Sequence, residues 1–326
     1  GGGGGGAAVA YIRGMCFQPK NKSPHQPLAY AQREIFSARE GDMLQVRHHL
    51  RQVEGEDGVF QAHSGDDLIL GVADGHGGGT AMRICCEKAP TLLCRLLKGN
   101  DPSSALAALF NELHATIRAI PDETSGCCLT VIVCDRNTGK YVCANAGDVE
   151  AIHITATSFW LVTTSHRLQH NAAERTRVAA HVAHTQNGDR LGPPRLYPGG
   201  LACSRSVGDS DAPHVVCNPA ICSGVLQSGD TILVATDGLW DNIDKPAVRS
   251  ICLQSYDPVR ILNKVREMSD DTTCALLTSN MPRTRSRLNM LFVRHASPSS
   301  EGSEDDSVHP ASDDKKRVVW PILLRQ

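Results

Sequence analysis

The sequence predicts a mixed α+β domain with largely antiparallel sheets, and three observations carry that expectation. Strand-length apolar runs alternate with stretches of helical periodicity between residues 40 and 280. Two of the runs, residues 68–73 and 231–236, stop at an Asp-Gly pair, as a buried strand does when it delivers a carboxylate at its end. Residues 127–135 and 140–146 flank the four-residue turn Arg136-Asn137-Thr138-Gly139 and read as a hairpin.

Taken in order, residues 1–40 are rich in Gly, Gln and Pro without periodicity and read as a low-complexity or disordered extension. The six leading glycines lack the charged start and apolar core of a secretory signal. Residues 43–51 are polar and rich in His and Arg, and their pattern assigns no element. Residues 68–73 form a strand, and Gly77-Gly78-Gly79 lead into a helix over 80–98. A second helix runs over 102–120, opened by Pro102 with Ser103 and Ser104 as candidate caps. After the hairpin come a strand at 159–163, a helix at 171–182 and a Gly- and Pro-rich loop at 187–200. The strand at 231–236, a helix at 258–268 and a strand at 273–278 complete a domain spanning 41–280. Residues 281–326 read as a disordered tail. Within it, a basic stretch at 283–287, acid-flanked serines at 297–307 and an apolar stretch at 318–324 each leave a docking or regulatory role open beside a solvated tail.

Composition removes several function classes. A net charge of −2 gives no electrostatic case for nucleic acid or a membrane surface, and no apolar run reaches transmembrane length. The thirteen cysteines are an odd number, and several, such as Cys134 and Cys143, lie inside apolar runs. They read as small buried hydrophobes in a reducing compartment, which points to an intracellular, cytoplasmic or nuclear protein. No C-x-x-C pair suggests zinc, no cysteine has an arginine six positions on, and no phosphate-binding G-x-x-x-x-G-K-[ST] loop occurs.

The chemistry lies in four aspartates at turns beside apolar runs: Asp57, Asp74, Asp237 and Asp270. Any single Asp-Gly is more often a plain turn. Four in matching settings point to a site. Carboxylates gathered together repel one another unless cations hold them, and oxygen ligands suit hard ions such as Mg²⁺ or Mn²⁺. Two-metal hydrolysis of a phosphate ester is the chemistry such a group suggests.

Ordered motifs carry a resemblance. Asp74-Gly75-His76-Gly77-Gly78 follows Glu56-Asp57 and precedes Asn145-Ala146-Gly147-Asp148. Ser204-Arg205-Ser206-Val207-Gly208-Asp209, Asp237-Gly238-Leu239-Trp240-Asp241 and Asp270-Asp271-Thr272-Thr273 come next. Over about residues 50–280 the chain resembles the metal-dependent, type-2C serine/threonine protein phosphatases, and Tyr197-Pro198-Gly199-Gly200-Leu201 is similar to a plant-type variant. The resemblance implies an α/β/β/α sandwich of two antiparallel sheets flanked by helices on both outer faces. It implies two Mg²⁺ or Mn²⁺ ions at one end of the sandwich, with a weaker third in some members. Asp57 and Asp74 would lie nearest the metals, with Asp74 bridging. The Gly75 carbonyl, Asp237 and Asp270 would complete the ligands. Glu56 would serve the outer shell, Asp148 the third ion, and His76 would be the general acid. Phosphoproteins would be the substrates of a monomeric enzyme.

Several positions depart from the family pattern. An arginine that grips phosphate usually lies four residues before the metal-associated Glu, where this chain has Gln52. Either a one-residue bulge brings Arg51 into place or Arg51 is an ordinary surface residue. Val149-Glu150 replaces Ser-Arg after Asp148, Ser165-His166-Arg167 replaces Asp-His-Lys, and Cys127-Cys128 follows Ser125-Gly126. These changes keep an alternative open, a pseudophosphatase that binds phosphoproteins with weak or no turnover.

Overall fold

The computed structural model describes residues 35–37, 43–187, 190–266 and 269–280. Expectations for residues 1–34 and for the tail at 281–326 lie outside the described residues. The chain opens with β1 (Ile35–Ser37), β2 (Leu44–Arg51), β3 (Asp57–Ser64) and β4 (Asp67–His76). Helices α1 (Thr80–Leu96) and α2 (Pro102–Arg118) follow. Next come β5 (Gly126–Asp135), β6 (Lys140–Ala146), β7 (Glu150–Ile154), β8 (Phe159–Leu161) and the short α3 (Ala172–Arg177). The hairpin β9 (Val182–Asn187) and β10 (Arg190–Leu196) leads to β11 (Val207–Gly208), β12 (Ala220–Val225) and β13 (Thr231–Ala235). Helices α4 (Asp237–Trp240), α5 (Lys245–Ser255) and α6 (Pro258–Leu262) precede β14 (Thr272–Ser279).

Two main sheets result. One runs β1-β2-β14-β13-β7-β8, and the other runs β12-β6-β5-β4-β3 with β11 added on β5. Every pairing between these strands is antiparallel. Both faces of each central strand are covered, which is why β4 reads as a continuous apolar run rather than an alternating one. Ile69 and Ala73 face α1 and α2, in a cluster with Leu106 and Phe110. Leu68, Leu70 and Val72 face the other sheet, where they meet Ile232, Val234 and Leu277. On the far side Leu233 and Leu276 pack under Val248 of α5 and Ile261 of α6. The order is therefore helix, sheet, sheet, helix.

Local chemistry explains where the expected elements moved. The α2 cap is Asp101, whose carboxylate accepts from the Ser103 and Ser104 N–H groups, so the serines receive the cap rather than supply it. All but the first of residues 43–51 form β2, and its alternation of buried and half-buried positions is masked in the sequence by His48 and His49. The expected loop at 187–200 is largely the β9–β10 hairpin, and an irregularity between Leu191 and Pro194 absorbs two prolines that cannot join a regular ladder. The helix expected over 171–182 splits into α3 and a single 3₁₀ turn at Ala179–His181. The helix expected from 258 stops at Leu262.

Candidate metal centre

Strand alternation aims the acidic side chains. Leu68, Leu70 and Val72 point between the sheets, so Asp74, two residues on, points the same way at the open end of the sandwich. In the register of β3 and β4, Asp57 stands directly opposite Asp74, and in that of β4 and β5, Cys128 stands opposite Asp74 on its other side. The facing sheet contributes from β13, where Ile232 and Val234 point inward and Thr236 follows. The Thr236 hydroxyl donates to Asp57 Oδ2 at 2.9 Å and accepts from the Thr273 N–H at 3.0 Å, which ties the two sheets together at the site. Asp237 then opens α4, and Asp270 precedes β14.

Two glycines are required by close approach. The Gly75 N–H donates to the Glu56 carbonyl at 2.9 Å, and a Cβ at Gly75 would lie 2.7 Å from that oxygen. A Cβ at Gly238 would lie 2.1 Å from the Asp271 carbonyl.

These residues surround a cleft of about 370 Å³. Glu56, Asp74, Gly75, His76, Asp148, Asp237 and Asp270 all line it, and Asp57 lies buried beneath. One oxygen each from Asp74, Asp148 and Asp237 can be chosen so that all three lie within 4.8 Å of one another. Crowding has an electrostatic cost. Burial, then the neighbouring Asp57, Asp237, Asp148 and Asp270, push the Asp74 carboxyl well above its usual range. Burial chiefly does the same to Asp57. Burial and Asp148 push Asp237 up to about 7 despite the opposing charge of Arg167. An all-oxygen donor set that resists ionisation on its own is what divalent hard cations relieve, so the residues present fit Mg²⁺ or Mn²⁺.

His76 stands on the same wall. Its Nε2 lies 2.8 Å from Oδ1 of the buried Asp209, whose other oxygen accepts from the Ser206 hydroxyl. Burial pulls the imidazole pKa down, but the bonds to Asp209 and to Cys128 outweigh it and hold it well above the usual histidine range.

Three residues in these motifs had no role from sequence reasoning. Asp271, next to the expected ligand Asp270, accepts four backbone N–H groups: Val53, Glu54 at 2.7 Å, Glu56 at 2.6 Å and Asp57 at 3.1 Å. It fixes the segment that carries Glu56 and Asp57. Asp209 orients His76, and its place at the end of the motif at 204–209 is the one sign of it in the sequence. Arg167 bonds Asp237 Oδ2 at 2.9 Å and Asp241 at 2.7 Å, and lies 3.5 Å from Asp148.

The Arg51 expectation is corrected. Arg51 ends β2 and its Nη1 donates to the Leu262 and Val265 carbonyls, at 3.0 and 3.5 Å, beside α6. No bulge swings it inward. Gln52, the next residue, donates instead to the Asp57 carbonyl at 3.1 Å. The arginines that line the cleft are Arg167 and Arg195.

With this geometry established, comparison with known proteins is specific. Residues 36–275 match the family model described as protein phosphatase 2C. A probable protein phosphatase 2C of Oryza sativa subsp. japonica is 33% identical over 230 residues, covering 64% of this chain and 53% of the relative. One from Arabidopsis thaliana is 29% identical over 230 residues, with the same coverage of 64% and 53%. The chain spans about half the length of the curated relatives it matches. A solved phosphatase from a pathogenic strain of Toxoplasma gondii aligns with a TM-score of 0.62 at 18% identity, covering 74% of this chain and 95% of that one. The serine-threonine phosphatase 2C from Toxoplasma gondii aligns at 0.57 and 16%, covering 77% and 96%, so the fold is shared.

Proposed function

The chain belongs to the protein phosphatase 2C family, and from that premise we propose that it hydrolyses phosphoserine and phosphothreonine in proteins with Mg²⁺ or Mn²⁺ as cofactor. The observation that carries the reading is the convergence of Asp74, Asp148, Asp237 and Asp270, drawn from four separate parts of the chain, on one cleft above the buried Asp57. Asp57, Asp74, the Gly75 carbonyl, Asp237 and Asp270 would hold two ions, Asp148 a third, and Glu56 would act from the outer shell. Bound there, the ions supply the charge that draws a phosphate dianion into an acidic cleft and the acidity that turns water into a nucleophile at phosphorus. The chain's own residues do the rest. Asp209 engages His76 Nε2, which leaves Nδ1 to hand a proton to the departing serine or threonine oxygen. Arg195, half-buried on the cleft wall, takes the phosphate-positioning role that Arg51 cannot reach.

A second reading rests on Arg167. Its bonds to Asp237 and Asp241 place a guanidinium among the carboxylates, as a fixed cation where a metal ion would otherwise be attracted. A phosphoprotein-binding module with weak turnover would be built this way. Phosphoproteins are the partners in either reading, and the chain acts as a monomer inside the cell. Among the described residues no helix is long and apolar enough to cross a membrane.

The deciding experiment is phosphate release from a phosphothreonine peptide by the purified full chain with Mn²⁺ or Mg²⁺. Turnover that stops on adding EDTA supports the enzyme. A folded chain that binds the phosphopeptide but turns over with no divalent ion moves the reading to the binding module.

A further inference from the structure

We propose that Cys128, Cys203 and Asp148 form a separate site for a thiophilic divalent ion of the Zn²⁺ class, set in the cleft wall beside the all-oxygen centre. The site is independent of whether the chain turns over phosphate, and its test reads the metal directly.

Geometry is the first argument. The two sulfurs and one Asp148 oxygen all lie within 4.8 Å of one another. In a tetrahedral site with Zn–S bonds of about 2.3 Å, two sulfurs lie roughly 3.8 Å apart, so only a small inward movement is needed. All three residues are buried, at 4%, 5% and 7% exposure, yet all three line the cleft, so an ion can reach them from solvent. Asp209 engages His76 on the same wall, so the fourth position of the site falls to water.

The ligands are also held in place. Cys128 sits on β5 opposite Asp74 of β4, in the middle of the sheet. A Cβ at Gly147 would come within 2.3 Å of the Cys128 sulfur, so the backbone before Asp148 is drawn tightly against it. Cys203 is fixed by a bridge to Arg167 and by the flanking bonds Leu168 N–H to Ala202 O at 2.8 Å and Ser204 N–H to His166 O at 3.1 Å. Preformed ligands lose little freedom on binding.

Packing alone does not account for the pair. Cys134 and Cys143 belong to the same inter-sheet cluster as Cys128 and Cys203 and behave as small hydrophobes there. Neither lines the cleft. Thiolate ligands select Zn²⁺ and other soft ions over Mg²⁺ and Mn²⁺, so the thiol corner and the carboxylate centre sort ions by chemistry. As two metal–sulfur bonds form, two thiol protons leave to solvent, and no electron is transferred. Asp148 is common to both groups of ligands. A soft ion in the thiol corner therefore withdraws Asp148 from the hard-ion group, and each occupancy weakens the other by the same factor.

The probe is Co²⁺ added to the metal-stripped, reduced full chain in excess Mg²⁺. A near-ultraviolet thiolate-to-cobalt charge-transfer band should appear and vanish when Zn²⁺ is added. Cys128→Ser and Cys203→Ser should each reduce it to about half, the double variant should abolish it, and Cys143→Ser should leave it intact. No band in folded wild-type chain, or a band that survives the double variant, overturns the site. Because buried cysteine variants can misfold, zinc-edge X-ray absorption on the unaltered chain is the second arm. Two sulfurs at about 2.3 Å support the site, and a shell of oxygen and nitrogen alone overturns it.

Discussion

Asp271→Asn separates the support of the centre from its ligands. Asp271 is buried, and each of its carboxylate oxygens accepts two backbone N–H groups from residues 53–57. Asparagine keeps one carbonyl oxygen and replaces the other with an NH₂ that cannot accept. Two bonds are lost, and two backbone donors then face a donor. A hydrogen bond to a charged acceptor is worth about 1.5–3 kcal/mol, so the loss is about 3–6 kcal/mol before the loop relaxes. That is a large share of a typical domain's stability. Because the loop carries Glu56 and Asp57, Mn²⁺ affinity should fall with it. Asp270→Asn, at an exposed position that accepts one bond from the Asp271 N–H, should weaken Mn²⁺ binding while leaving stability almost unchanged. Urea denaturation with and without Mn²⁺, and calorimetric titration of Mn²⁺, measure both effects. If Asp271→Asn costs less than about 1 kcal/mol, the four bonds do not organise the loop and the reasoning fails.

Three further outcomes are expected. His76→Ala should slow hydrolysis of an alkyl phosphoester by about 10²–10⁴-fold and p-nitrophenyl phosphate far less, since nitrophenolate leaves without a proton; because the His76 pKa is raised, activity should persist above the usual histidine range and fall as pH rises through that value, and Asp209→Asn should move the fall to lower pH. Arg195→Ala should raise KM for a phosphopeptide with Mn²⁺ binding intact, whereas Arg51→Ala should leave KM alone and lower the urea midpoint through its lost bonds to α6; the reverse pattern would restore Arg51 to the site. Burial opposes ionisation of Glu174, but bonds from Arg205, Ser204 and Arg177 outweigh it and lower its pKa from 4.5 to about 2; stability from this group is complete above 4.5 and lost as pH falls toward 2, so Glu174→Gln should remove about 3 kcal/mol at neutral pH and flatten that part of the stability profile.

Much of the centre was legible because strand ends and Asp-Gly turns leave local marks. Residues 68–73 announce a doubly buried strand, and the carboxylate at its end follows from counting by two. The hairpin of β5 and β6 is equally local, as its turn residues lie between two apolar runs. What stayed hidden depends on contacts distant in sequence. Nothing near residue 51 says that α6 will offer carbonyls to Arg51, and side-chain direction along β2 decides the matter. Asp270 and Asp271 are adjacent, yet one lines the cleft and the other is buried under a loop some two hundred residues earlier in the chain. The want of a C-x-x-C pair argues against zinc only for ligands on one turn, whereas Cys128 comes from β5 and Cys203 from the segment between β10 and β11.

The two departures nearest the carboxylates act on the same residue. Arg167, where the family pattern has Lys, reaches Asp148, Asp237 and Asp241. Cys128, where the pattern has a small residue, approaches Asp148 from the other side with Cys203. Asp148 is thus offered a guanidinium, a soft ion and a hard ion, and it cannot serve all three fully. Arg167→Ala removes the first competitor. The freed carboxylates should bind Mn²⁺ more tightly, and Co²⁺ at the thiol corner should gain as well, since Asp148 is a ligand in both places. Calorimetry for Mn²⁺ and the thiolate–cobalt band for Co²⁺ read the two changes separately in one variant. Gain in both identifies Arg167 as the fixed cation that sets how strongly this cleft holds metal. Loss of Mn²⁺ affinity would mean that the guanidinium positions Asp237 for the ion instead of competing with it.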